Sequence, residues 1–311
     1  MKASIVVIAA LATVFSGALS AADPQLLNLV MPDVKVMAGV NVAQAKSSPF
    51  GQYVLAQVEP QQLAQIAALT GFNPANDVNE LLVASNGAQQ HNGLVLVLGS
   101  FNVTVITKAI AQLKPGTETY RGITIFEDPQ KQTGLAFLGD SVAAVGDPAN
   151  VKAAIDRVSA PSVLPASLVS EIGQLSAAND IWALSTVPLS SLSPTGALPA
   201  INGLAKGSEG ALAAVQSLSA GIKFGTDVVA TVQAQADTAQ NATGIAGLVQ
   251  FLVNMAQMNA SKDPSVEALT KALTVTANGA TVNLSLSMPS AQLQEMLQSK
   301  AGPRHHTHAG Q

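Results

Sequence analysis

Alternating apolar positions occur twice in closely similar form, as "DVKVMAGVNV" from Asp33 and as "DIWALSTVPL" from Asp180, 147 positions later. At that shift Asp33 falls on Asp180, Val34 on Ile181, Val36 on Ala183, Val40 on Val187 and Val42 on Leu189. The same shift sets Glu80, at the head of "ELLVAS", on Asp227, at the head of "DVVATV", and the stretch 101–113 on 248–260. One register held over three segments points to tandem duplication; the alternative is a single irregular α/β domain. On this reading Val34, Val36, Ile181 and Ala183 belong to buried strand faces.

The periodicities predict the elements of one unit. A strand covers 34–42, and two short helices cover 48–58 and 60–69, with Pro60 in a first turn and Gly71 as a stop. Apolar runs at 78–85 and 93–99 are joined by "NGAQQHN", which has the Asn-Gly chemistry of a hairpin. Ser100 caps a helix to position 113, and "GITIFE", "TGLAFLGD" and "SVAAVGD" read as three short strands. Asp147 and Pro148 form an N-cap and first-turn proline for a helix through 158.

The second unit repeats this order. It has a strand at Ile181, a helix over 208–218, hairpin strands at 220–224 and 227–236, and a helix over 243–258. Two strands around Asn278-Gly279 and a helix opening at Met288-Pro289 complete it, with one strand fewer than the first unit. The expected fold is α+β: two tandem, pseudo-symmetric repeats, each a largely antiparallel sheet covered on one face by helices. The units span 23–158 and 177–299, joined by a linker at 159–176 that opens on "SAPSVLPAS" and followed by a disordered His-containing tail at 300–311.

Residues 1–22 are set apart. Lys2, an apolar run over 5–15 and the small residues of "SGALSAAD" make an export signal, cleaved after Ala22 or after Ser20. The run is shorter than the roughly 20 residues of a membrane-spanning helix; an uncleaved anchor is the alternative. The chain has no cysteine, which removes lipidated N-terminal Cys, disulfides and thiolate metal sites together. Export without disulfides favours a bacterial periplasmic or extracellular protein.

Composition narrows the function further. The chain is 48% hydrophobic but only 11% charged, and its net charge of −4 supplies no basic stripe for nucleic acid or anionic lipid. Aromatic residues are 4%, with Trp182 the single tryptophan, so stacking platforms for bases or sugars are scarce.

The segments "MPDVKVMAGVNVAQAKSSPFGQYVLAQ", "TGFNPANDVNELLVAS" and "VAAVGDPANVKAAIDRV" resemble secreted bacterial proteins of unknown function built from tandem α+β repeats. The resemblance implies location and shape and brings no catalytic signature.

Candidate chemistry is sparse, and no catalytic, cofactor-binding or metal-binding residue is assigned. His91 lies in a polar hairpin loop with no orienting carboxylate beside it, and His305, His306 and His308 lie beyond the last apolar helix, where weak metal binding competes with plain disorder. Glu127 and Asp128 are adjacent before a turn and point to opposite faces, unsuited to joint acid–base work. Asp77 and Glu80 have the spacing of a turn cap. Nucleophile elbows and glycine-rich phosphate loops are absent from the sequence, so no cofactor is expected and an enzyme is unsupported. Three functions follow: an exported non-catalytic protein binding a protein or surface ligand, a carrier of an apolar or amphiphilic molecule, and, behind these, a hydrolase with a dispersed site. The carrier reading rests on "GLVQFLVNMAQM", where Phe251, Met255 and Met258 line either a pocket or the core.

Overall fold

A computed structural model describes residues 22–57, 67–68, 70–87, 93–112, 114–128, 130, 132–188, 213–259 and 263–300. His91, the histidines of the tail, most of the leader and most of the expected helix at 60–69 lie outside them.

The strands are β1 (Val36–Asn41), β2 (Val78–Ser85), β3 (Gly93–Gly99), β4 (Gly116–Tyr120), β5 (Ile123–Asp128), β6 (Thr133–Phe137) and β7 (Val142–Gly146), followed by β8 (Ile181–Ser185), β9 (Val215–Lys223), β10 (Asp227–Ala236), β11 (Leu273–Asn278) and β12 (Thr281–Pro289). The helices are α1 (Pro24–Leu27), α2 (Val42–Ala45), α3 (Pro49–Gln57), α4 (Pro74–Asp77), α5 (Val103–Gln112), α6 (Pro148–Ser159), α7 (Ala166–Ala178), α8 (Ala239–Asn259), α9 (Pro264–Ala272) and α10 (Ser290–Lys300).

The protein is α+β, and its two halves share a single 12-stranded antiparallel sheet in the order β11-β12-β10-β9-β8-β1-β2-β3-β7-β6-β5-β4. This corrects the expectation of two separate sheets. The first strands of the halves, β1 and β8, pair with each other at the seam, where Met37 sits opposite Leu184. Those two residues are 147 positions apart, so each faces its own counterpart and a local twofold passes between them. Outward from the seam β2 answers β9, β3 answers β10, β7 answers β12 and β6 answers β11.

The register across the halves therefore slips after the first strand. Glu80 lies in β2 whereas Asp227 opens β10, the counterpart of β3, so their match at the common shift does not reflect equivalent places. The hairpin β4–β5 has no counterpart among the described residues of the second half, which carries α9 before β11 instead. β4, "GTETY", is an edge strand too polar to stand out by hydrophobicity.

Helices cover both faces of the sheet, and this too differs from the one-sided cover expected. On the near face α1, α6 and α7 pack over a cluster that includes Leu26, Met37, Leu82, Leu96, Ile172, Trp182 and Leu184. The far face carries α5 over β3, β6 and β7, α8 over β9 to β12, and α3 with α10 over Ile181 and Ile222. Near-continuous apolar runs such as "GLVLVLG" follow from this, because both sides of the central strands meet side chains. Along β1 and β8 the buried positions are Met37, Gly39 and Asn41, and Trp182, Leu184 and Ser185, while Val36, Ile181 and Ala183 face the far side and are half-buried. Val34 is buried as expected.

Two further expectations change. Residues 215–218 belong to β9 and not to a helix. Within 159–176, read as linker, α7 runs from Ala166, with Leu168 and Ile172 buried against the seam. The Asp147 cap is present, its Oδ1 accepting from Ala149 N at 2.8 Å ahead of Pro148. No described helix is long and apolar enough to cross a membrane.

Candidate functional site: an apolar cavity beneath α5

The far face of the first half holds a partly open cavity of about 540 Å³. Its floor is the sheet: Leu81 from β2, Val97 from β3, Leu135 and Phe137 from β6, and Ala143 and Val145 from β7. Period-two alternation puts these side chains on one face. The roof is α5, which turns Ile106, Ala109 and Ile110 inward at helical spacing while Lys108 lies outside. Asn102 starts that helix, its Oδ1 accepting from Val105 N at 3.2 Å, in the role expected of Ser100.

A bulge shapes one wall. Val78 pairs with Gly99 and Glu80 with Leu98, so Asn79 is an extra residue that switches the strand from one face to the other. Val78 consequently lines the far-face cavity, while Glu80 joins Leu82 and Ala84 on the near face. Gly99 lets α4 close in beside it, since a Cβ there would sit 2.3 Å from the Asp77 carbonyl oxygen. Phe101 forms a corner with Phe72 and Phe137, each ring centroid 5.5 Å away, the second edge-on.

Every lining group except Thr70 is apolar, and the Thr70 Oγ1 accepts from Phe72 N at 3.0 Å. A polar recess bounded by Asp77, Ser100 and Asn102 shares Thr70, Phe72 and Ile106 with the cavity. The site thus has an apolar interior with a hydrogen-bonding recess beside it. Its volume lies within the range of small-molecule pockets, roughly 300–1,000 Å³. Among the described residues the lining holds no acid–base pair, and its apolar surface suits binding by burial.

The residues singled out from sequence lie elsewhere. Phe251, Met255 and Met258 are 58%, 45% and 83% exposed on the outer side of α8 and are not part of the core. That correction follows from the turn of the helix, which buries Ala242 and Val253 instead. Glu127 and Asp128 end β5 at the turn before β6. Asp77 closes the α4 turn, its Oδ2 accepting from Asn73 N at 2.7 Å, and Glu80 is no cap: it is 6% exposed. No cluster of three or more metal-ligating side chains occurs among the described residues.

No protein-family model and no curated protein matches the chain. Solved structures do. In fold the chain resembles TP0453. Crystal form III of that protein superposes with a TM-score of 0.57 at 12% identity, covering 89% of this chain and 98% of the other. Form I gives 0.52 at 11% identity, covering 91% and 99% of the two chains, and form IV gives 0.51 at 12% with the same coverage. TP0453 is a bacterial protein, from Treponema, of unknown function, and at this identity the likeness concerns the fold alone.

Proposed function

We propose that the protein is an exported bacterial carrier that holds the apolar part of an amphiphilic small molecule, such as a fatty acyl chain, under α5. The supporting observation is the cavity of about 540 Å³ with one hydroxyl in its lining and a polar recess at its edge. An apolar cavity gives water no partners, so it stays dry or takes an apolar guest. Burial of acyl methylenes supplies about 0.8 kcal/mol each, while the recess of Asp77, Ser100 and Asn102 keeps a polar end hydrated or hydrogen-bonded. Export is supported by the leader "MKASIVVIAALATVFSGALSAAD" and by a cysteine-free chain.

A second reading, docking on a protein partner, is favoured by the outer side of α8, a 21-residue helix without a charged residue that exposes Phe251 and Met258. Titration with the fluorescent fatty acid cis-parinaric acid separates the two. The carrier reading expects saturable binding of one probe per chain, lost by at least about tenfold when Ala109→Phe fills the cavity and retained in Phe251→Ser. Equal binding by wild type and Ala109→Phe, or loss in Phe251→Ser alone, would exclude the cavity as the site.

A further inference from the structure

Glu80 is a buried carboxylate on the near face of β2, beneath the start of α1. Both its oxygens lie against one nitrogen, the backbone N of Asp23, Oε2 at 3.2 Å and Oε1 at 3.4 Å. A peptide N–H points at one acceptor, whereas a protonated amine presents three donors and a full charge. The sheet partners of Glu80 are Asn41 and Leu98, both uncharged. The Asp23 carboxylate is the charged group that acts on it, and Lys46, on the neighbouring connection, is held on the carbonyls of Asn76 and Val78.

We propose that the chain is cut between Ala22 and Asp23 and that the α-ammonium released on Asp23 becomes the counter-ion of Glu80, locking α1 onto the sheet. The step rests on the export reading of the leader. It is a hydrolysis by a signal peptidase: water adds hydroxide to the Ala22 carbonyl carbon, the C–N bond breaks, the leader leaves as a carboxylate, and the Asp23 nitrogen takes up protons to become the ammonium. Ala22 is 6% exposed and its N donates to the buried Ser176 Oγ at 2.8 Å, so the bond is shielded once the protein folds. Cleavage therefore precedes folding, as it does for a chain exported unfolded. Ser176 keeps its own bond to the Ile172 carbonyl at 2.6 Å after Ala22 has gone.

The electrostatic consequence has a definite sign. With a peptide N–H as donor, burial, opposed by the hydrogen bond and reinforced by the Asp23 carboxylate, pushes Glu80 from 4.5 up to about 7. A carboxyl whose folded pKa is raised contributes stability below its unfolded value, and this is lost as pH rises from 4.5 through about 7. Pairing with an ammonium lowers the folded pKa, and the loss between 4.5 and about 7 disappears. Moving Glu80 from about 7 to below 4.5 changes the unfolding constant at pH 7 by more than roughly a hundredfold.

The test compares a chain that begins at Asp23 with a free amine, the same chain N-acetylated, and a chain that begins at Ser20 and so retains Ala22. Urea midpoints are measured from pH 5 to pH 8, each also with Glu80→Gln. Between pH 5 and pH 7 the free-amine chain should hold its stability while the other two lose it, and Glu80→Gln should remove the difference. Parallel pH profiles, or a difference that persists in Glu80→Gln, would overturn the pairing. If Glu80→Gln fails to fold, carbon NMR titration of the Glu80 carboxyl in the free-amine and acetylated chains decides the same point: a lower pKa with the free amine supports the pairing, and equal values overturn it. Mass spectrometry of protein exported by a bacterial host separately tests the cut: a start at Asp23 supports it, another processed start overturns the position, and retention of the full leader overturns the export reading itself.

Discussion

Gly39→Ala probes the seam where the two halves meet. Gly39 on β1 lies opposite Trp182 on β8, and the indole covers it: an added Cβ would stand 2.4 Å from Nε1 and Cε2 and 2.6 Å from Cζ2. Favourable carbon contacts begin near 3.5 Å, so the ring must retreat by about 1 Å. Trp182 is 2% exposed and packed in the cluster with Met37, Leu184 and Ile172, which leaves no slack in that direction. Overpacking of this kind costs about 1–3 kcal/mol, against about 0.5–1 kcal/mol recovered by removing a strand glycine's extra backbone freedom. The net expectation is a loss of about 1–2 kcal/mol. Urea unfolding followed by Trp182 emission, the single tryptophan, reads the seam directly. Gly173→Ala is the matched control: Gly173 is interior to α7, a Cβ there meets nothing within 4 Å, and the change should stabilise by about 0.5–1 kcal/mol. A neutral or stabilising Gly39→Ala with unchanged emission would refute the stacked seam.

Further expectations concern burial and charge. Met37→Ala, at a residue 1% exposed, should cost about 2–5 kcal/mol, and Val36→Ala, half-buried on the other face, distinctly less; equal losses in denaturant unfolding would contradict the assignment of faces. Asp180 is 1% exposed and accepts from Phe224 N at 2.5 Å and Lys223 Nζ at 3.2 Å, so Asp180→Ala should destabilise by about 3 kcal/mol or more, and a loss below about 1 kcal/mol would show the cluster to be dispensable. A chain retaining residues before Asp23 should lose stability between pH 5 and pH 7 through Glu80, as chemical unfolding at each pH will show.

The likeness of the two seam strands was legible because they keep the same alternation in both halves, and Met37 and Leu184 stand at the shift first seen between Asp33 and Asp180; that the strands pair with each other in one sheet was not. Which side of those strands is buried was not legible: both sides carry small or branched apolar residues, and only the packing of α1 and α7 decides for Met37 over Val36. β9 was mistaken in part for a helix because "VQSLSAGIK" lacks clean alternation, and α7 hid behind the prolines that precede it. The cavity draws its lining from positions 42 to 145, so no local spacing announces it. Its one sequence trace is the doubly apolar character of "ELLVAS" and "GLVLVLG", which demands a second covered face. Glu80 could have been found, since Glu80, Leu82 and Ala84 alternate onto one face, and a carboxylate in register with core residues calls for a partner.

The proposed carrier function is tested most directly by the native mass spectrum of the protein isolated from its host, recorded before and after organic extraction. The cavity under α5 predicts a discrete adduct of one amphiphile per chain that extraction removes and that Ala109→Phe fails to acquire. A bare chain mass before extraction, or an adduct carried equally by Ala109→Phe, would contradict it.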